Sequence, residues 1–184
     1  DTLTLAVPDS MPREQLSLLL GVAQACDFRV AGLVSRSVLL GSAALAGGGA
    51  GLLHLEAQLN QTILNELTVE DGALHLARST PLPACGLLAL QERCVAAIAS
   101  AFIQQTRFDP RRSAASEQTL FNRLPQILAE LAERGEASID IEGHRCRITA
   151  RALAGASERL IKGVAEARGG NGTPVLLDPE LARL

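Results

Sequence analysis

The sequence predicts an α/β fold in which a mixed sheet is flanked by helices. Residues 52–79 contain three extended segments of a meander, and the last two are joined by Asp71-Gly72, a dipeptide that suits the positive φ of a tight hairpin turn. Long segments on both sides of this meander carry apolar residues at helical spacing. Strand and helix patterns alternate along the chain, which is typical of layered α/β proteins.

Four elements are predicted before the meander. Asp9 or Ser10 caps the first helix, and Ser35 or Ser37 caps the second, because these short polar side chains accept hydrogen bonds from free amides of a first turn. The glycine tract at 47–49 then interrupts the chain. In order, the elements are a strand at 2–7, a helix with Pro12 in its first turn, a strand at 28–34 and a helix ending at Leu45.

Six further elements are predicted after the meander. Pro125 either kinks its helix or marks a later start near Asn122, because proline removes a helical hydrogen bond. The glycine-rich residues 169–172 are interpreted as a helix cap and turn in preference to a nucleotide loop. The elements are helices at 87–107, 116–134 and 151–168, a hairpin of 136–141 and 145–149, and a final strand at 174–177.

Composition excludes several classes of function. A net charge of −3 gives no electrostatic reason to bind nucleic acid or anionic membrane, and an aromatic content of 2% leaves few surfaces on which bases could stack. No apolar run reaches the ~18 residues of a membrane span. We therefore predict no nucleic-acid partner and no membrane.

The cysteines and histidines predict neither a disulfide framework nor a metal site. The four cysteines form no C-x-x-C pattern and no cluster with histidine, which favours reduced thiols in a cytoplasmic protein; a structural disulfide is the alternative. His54, His75 and His144 lack ligand spacing, although His54 and His75 could pair across the meander. A Ser-His-Asp arrangement drawn from Ser35, His54 and Asp178 has no support in the spacing and is discarded.

Several strings resemble the ATPase domain of the 70-kDa heat-shock chaperones, in the actin and sugar-kinase superfamily. Val7-Pro8 followed by a helix resembles the family segment that begins Val-Pro-Ala. Residues 137–141 and 148–153 resemble its Ala-Ser-Ile-Glu-Ile strand and the start of its next long helix, and residues 175–177 occupy the place of its last strand. The resemblance implies a ribonuclease H-like, actin-like ATPase fold in a bacterial cytoplasmic protein.

The resemblance also implies a domain organisation. Residues 1–46 would be the tail of a first lobe, and residues 47–184 a second lobe whose smaller subdomain is 108–149. In the family, ATP with magnesium lies between the lobes, and the first phosphate loop would precede Asp1.

The family's nucleotide-binding strings are altered here. Its glycine-rich second phosphate loop falls on 56–62, its Glu-Pro-Thr falls on 36–38, and its adenosine loop falls on 178–181. Glycines matter there because backbone amides must come within about 3 Å of phosphate oxygens. The remnant site predicted at these positions consists of Glu56, Gln58, Asn60, Gln61, Thr62, Arg36 and Asp178.

Five of the remnant residues also have a simpler interpretation. Glu56 is either a surviving magnesium carboxylate or a solvated carboxylate at a strand end. Residues 60–62 either bind another ligand or form a hairpin loop. Arg36 either replaces the magnesium charge and pairs with Glu56 or a phosphate, or forms a surface or interlobe ion pair.

From these observations we predict a degenerate chaperone-like nucleotidase domain that acts as a binding or scaffold module for an unknown protein partner. It would have no catalytic residues, no cofactor and no ATP turnover. The alternative is an ATP-binding chaperone-like protein whose first phosphate loop lies before Asp1. A homodimer is a further alternative.

Overall fold

The protein is a mixed α/β fold with a mixed sheet flanked by helices, in a computed structural model that describes residues 2–26, 28–168 and 172–182. Most of the predicted cap and turn at 169–172 lies outside the described residues. The strands are β1 (Thr2–Val7), β2 (Arg29–Ser35), β3 (Gly51–Ala57), β4 (Thr62–Glu70), β5 (Ala73–Leu82), β6 (Glu136–Ile141), β7 (His144–Thr149) and β8 (Val175–Leu177). The helices are α1 (Arg13–Ala25), α2 (Arg36–Ala44), α3 (Leu87–Thr106), α4 (Ala114–Arg134), α5 (Ala150–Arg168) and α6 (Pro179–Ala182).

Contacts divide the chain into two compact units. Unit 1 comprises Asp1–Glu56, Ile63–Pro81 and Gly170–Asp178, and unit 2 comprises Ala57–Thr62, Leu82–Gly169 and Pro179–Leu184. The lobe assignment that the resemblance implies, 1–46 and 47–184, stays a prediction.

Unit 1 contains two sheets. β1 and β2 pair in parallel, and a second sheet has the order β5-β4-β3-β8, in which β8 runs parallel to β3. The predicted Asp71-Gly72 turn is confirmed, since its φ angles are 50° and 77°. Gly41 of α2 lies against this second sheet so closely that a Cβ there would come within 2.9 Å of Leu67.

The helix starts in unit 1 differ in part from expectation. Ser35 caps α2 as predicted, because its Oγ accepts a hydrogen bond from the Val38 amide at 3.0 Å. The predicted cap of α1 by Asp9 or Ser10 is wrong: Pro12 occupies the N-cap and offers no side-chain acceptor. The Asp9 carboxylate instead accepts from the Ser37 amide at 3.4 Å, which links the loop after β1 to α2.

Unit 2 is built around one hydrophobic core. The β6–β7 hairpin pairs from Glu136↔Thr149 to Ile141↔His144, and its alternate side chains face α3 and α4. Helix α4 contains Pro125 but begins earlier, with Ser113 as its cap, so the alternative start near Asn122 is wrong. The completely buried members of the core are Ile98, Phe102, Leu120, Ile139 and Cys146.

Helix α3 is rich in apolar residues. Over an 18-residue window its mean hydropathy is 1.3, and among the described helices it alone has the length and composition of a membrane span. This finding concerns length and composition only, and the expectation of no membrane stays a prediction. In this structure Cys94, Val95, Ile98 and Phe102 of α3 form part of the unit 2 core, as in a core helix of the same composition.

The cysteines are predicted to react very unequally with alkylating reagents. Cys26 is exposed, whereas burial raises the pKa of the Cys94 and Cys146 thiols above the usual range. Because the thiolate is the nucleophile, we expect iodoacetamide at pH 7.5 to label Cys26 first and to leave Cys94 and Cys146 unlabelled in the folded protein. Peptide mass mapping checks this, with unfolded protein as the control. Equal labelling of all sites in folded protein would contradict the described packing.

Candidate functional site

A cluster of polar side chains lies inside unit 1, where α2 begins and where β3, β4 and β8 run side by side. We call it the buried polar cluster, and its members come from segments far apart in the sequence. All but the arginine, whose side chain is 33% exposed, are completely buried. The members are Arg36, Ser37, His54, Glu56, Asn65 and Asp178.

His54 is the centre of one half of the cluster. Its Nδ1 lies 2.8 Å from the Ser37 Oγ, and its Nε2 lies 3.3 Å from Oδ1 of Asp178. The other oxygen of Asp178 accepts a hydrogen bond from Nη2 of Arg36 at 2.7 Å. The backbone holds Asp178 in place, because its amide donates to the Leu55 carbonyl at 3.0 Å directly after β8.

Asn65 is the centre of the other half. Its Nδ2 donates to the Ser37 Oγ at 2.8 Å and to Oε2 of Glu56 at 3.1 Å. Its Oδ1 accepts a hydrogen bond from the Ser79 hydroxyl at 2.6 Å. One amide side chain therefore connects three strands of the sheet to the start of α2.

The hydrogen-bond inventory of the cluster can be satisfied by one assignment. His54 donates its Nε2 proton to Asp178, and its Nδ1 accepts the Ser37 hydroxyl proton, which leaves the Ser37 oxygen to accept from Asn65. An unpaired polar group in the interior lowers the free energy of unfolding. Because the members of the cluster pair with one another, the cluster links the strands of the sheet to the start of α2.

Serine, histidine and aspartate do meet in this cluster, though through Ser37 and not through Ser35. The Ser35 hydroxyl is engaged as the α2 cap. A catalytic serine must reach a substrate carbonyl, and Ser37, His54 and Asp178 are all completely buried. Their arrangement therefore supports a structural network.

The second predicted location, the loop at 58–61, is closed by its own hydrogen bonds. The Gln58 amide donates to the Gln61 carbonyl at 2.8 Å, and the Gln61 side-chain amide donates to the Gln58 Oε1 at 2.9 Å. Thr62 begins β4, is completely buried, and donates its hydroxyl proton to the Cys85 carbonyl. The loop side chains Leu59 and Asn60 are exposed.

The carbonyl groups of this loop accept hydrogen bonds from the first amides of α3. The Leu87 amide donates to the Gln58 carbonyl at 3.0 Å, and the Leu88 amide donates to the Leu59 carbonyl at 3.1 Å. The first amides of a helix have no acceptor within the helix, and for this reason they commonly bind anions. Here the chain itself supplies the acceptors.

Gly86 permits this close approach. A Cβ at this position would lie 2.2 Å from the Asn60 carbonyl carbon and 2.4 Å from the Gln61 nitrogen, which are both backbone atoms. Since its φ of −67° suits any residue, the requirement for glycine here is steric. The loop thus rests directly on the start of α3.

The structure brings together only some of the predicted site residues. Arg36 pairs with Asp178, which supports its interpretation as an ion pair. The alternative of a solvated Glu56 is wrong, because this carboxylate is completely buried. The predicted pairing of His54 with His75 is also wrong, since His54 contacts Ser37 and Asp178 and His75 is exposed.

These residues do not suit ATP with magnesium in the manner that the resemblance implies. A phosphate loop offers free backbone amides, whereas the Gln58, Leu87 and Leu88 amides already donate to carbonyl groups. Residues 179–181, where the resemblance would place part of the adenosine loop, belong to the short helix α6. No group of three or more metal-ligating side chains is found in the part of the chain that the structure describes.

No protein-family model matches the chain, and no curated protein matches it significantly.

Sequence reasoning missed Ser37 and Asn65 as members of the buried polar cluster. A signal was present, since His54, Glu56 and Asn65 interrupt strongly apolar strands in Leu-Leu-His-Leu-Glu and Ile-Leu-Asn-Glu-Leu. A polar residue inside a buried strand needs a partner. The pattern does not say which residue provides it, because Ser37 and Asp178 lie 17 and 124 positions from His54.

Proposed function

We propose that the protein is a degenerate member of the chaperone-like nucleotidases that serves as a binding or scaffold module for another protein and does not turn over ATP. The observation that carries this proposal is the engagement of the Leu87 and Leu88 amides by loop carbonyls. A phosphate group would have to break these two hydrogen bonds before it could use the same amides.

The buried polar cluster supports the same proposal. A magnesium-nucleotide site needs carboxylates that solvent and ligand can reach, whereas Glu56 and Asp178 are completely buried. Arg36 beside Asp178 adds a positive charge, which repels a dication. These polar residues therefore stabilise the framework of unit 1 without offering a ligand site.

The surface of residues 2–46 supports a role in binding. Of twelve large apolar side chains exposed in the described chain, five lie in this segment, and β1 and β2 form a parallel pair without further strands. Parallel sheets are normally covered on both faces, so such a pair commonly packs against more protein. The five side chains are Leu18, Val22, Phe28, Leu33 and Leu39.

We expect ATP with magnesium to leave the stability of the full-length protein unchanged. A nucleotide present at 100 times its dissociation constant would raise the free energy of unfolding by about 2.7 kcal/mol. Differential scanning fluorimetry over a range of ATP concentrations measures the effect. The control replaces magnesium with EDTA, because the family's site requires the metal. A magnesium-dependent rise would contradict the proposal and favour the ATP-binding alternative.

A further inference from the structure

A cationic cleft lies on the surface of unit 2 and is lined by residues of α3 and α5, none of them from the loop at 58–61. Its volume is about 400 Å³, which is within the usual range for small-molecule sites. Three of its lining residues are cationic and one is acidic. The lining residues are Arg93, Gly155, Glu158, Arg159 and Lys162.

The Arg93 guanidinium group is fixed by two hydrogen bonds, and one of its nitrogens has no partner. Its Nε donates to the Ala156 carbonyl and its Nη1 to the Ala84 carbonyl, both at 2.8 Å. Its Nη2 is buried and has no hydrogen-bond partner among the described residues. An unpaired buried donor on a charged group is unfavourable, and an anion or a water in the cleft would relieve it.

The α5 side of the cleft adds two cations at successive turns. The Arg159 side chain makes no hydrogen bond or ion pair with any residue in the described ranges. Lys162 has only a 4.0 Å ion pair with Glu166, in which both side chains are strongly exposed, and such pairs are weak. Both charges are thus free to turn towards a ligand.

Gly155 leaves room between these charges. It lies on the same face of α5, one turn before Arg159, and a Cβ there would meet no atom within 4 Å. Glycine in the interior of a helix costs about 1 kcal/mol relative to alanine. The open space above Gly155 therefore forms the part of the cleft that a ligand would fill.

We propose that this cleft binds a phosphate-bearing small molecule. The guanidinium groups of Arg93 and Arg159 provide forked donors that match phosphate oxygens, and Lys162 adds a point charge. The three cations exceed the single acidic residue, Glu158, so the bound group carries more than one negative charge. The site is independent of the remnant nucleotide loop and requires no magnesium.

The test is a titration of the full-length protein with pyrophosphate at low ionic strength, followed by isothermal calorimetry and ³¹P NMR. We expect saturable binding without magnesium that weakens as salt is added. Arg159→Gln and Lys162→Gln should each weaken it about tenfold, which corresponds to about 1.4 kcal/mol. Gly155→Leu should abolish it by filling the cleft, and it should fold because leucine favours helix more than glycine does.

Arg151→Gln is the matched control, because Arg151 is an exposed cation of the same helix that does not line the cleft. It should bind pyrophosphate as the unaltered protein does. Absence of binding, or binding that survives both Arg159→Gln and Gly155→Leu, would overturn the proposal. Equal affinity for citrate, a carboxylate of similar charge near neutral pH, would overturn the assignment to phosphate, since negative charge alone would then suffice.

Discussion

Replacing Asp178 by alanine is expected to lower the free energy of unfolding by about 3 kcal/mol, the low end of the usual cost of removing one partner from a buried ion pair, because the Arg36 side chain keeps some contact with solvent. Asp178 is completely buried and accepts hydrogen bonds from both Arg36 and His54. Its loss leaves the His54 ring without that acceptor inside the protein. It also removes the link between β8 and the start of α2.

Urea denaturation followed by circular dichroism measures this effect. Asp140→Ala is the matched control, because Asp140 is exposed, its ion pair with Arg145 spans 3.9 Å, and it accepts one exposed hydrogen bond, from the Gly143 amide at 3.2 Å. That variant should change stability by no more than about 1 kcal/mol. Equal, small effects of the two substitutions would show that the buried polar cluster does not stabilise unit 1.

Gly86→Ala is expected to destabilise the protein by about 1–3 kcal/mol, the usual range for an overpacked site. The new methyl group would lie 2.2 Å from a backbone carbon of Asn60, and backbone cannot move aside as a flexible side chain can. Either the loop at 58–61 lifts from α3 or the start of the helix shifts. Both outcomes break the hydrogen bonds of the Leu87 and Leu88 amides.

Gly155→Ala provides the control for this prediction and should have the opposite sign. Gly155 lies in a helix with open space around it, so alanine there should stabilise the protein by about 0.5–1 kcal/mol. Thermal and urea unfolding of the two variants gives the comparison. A Gly86→Ala variant as stable as the unaltered protein would mean that the loop does not lie against α3.

Local pattern was sufficient to predict most elements of the fold. The Asp71-Gly72 turn, the Ser35 cap and the β6–β7 hairpin each depend on residues that are close in sequence, and all three are observed. The predicted cap of α1 is wrong, because a preference for Asp or Ser as a cap does not exclude proline at that position.

The candidate site was less predictable, because its contacts join distant parts of the chain. Arg36 and Asp178 are 142 positions apart, and no local preference connects them. At the loop, the sequence has Gln58, Leu59, Asn60 and Gln61 where the resemblance places the family's glycine-rich phosphate loop. In the structure Leu59 and Asn60 are exposed, and the amides are engaged by the loop's own carbonyl groups. Hydrogen bonds between main-chain groups depend little on side-chain identity, so the sequence does not predict them.

The most direct test of this account is amide hydrogen exchange at Leu87 and Leu88, measured by NMR with and without ATP and magnesium. The first amides of a helix ordinarily exchange fast, because they have no acceptor within the helix. We predict that both amides are protected and that neither their exchange rates nor their chemical shifts respond to ATP. Fast exchange that slows when ATP and magnesium are added would show amides free to bind phosphate and would contradict the account.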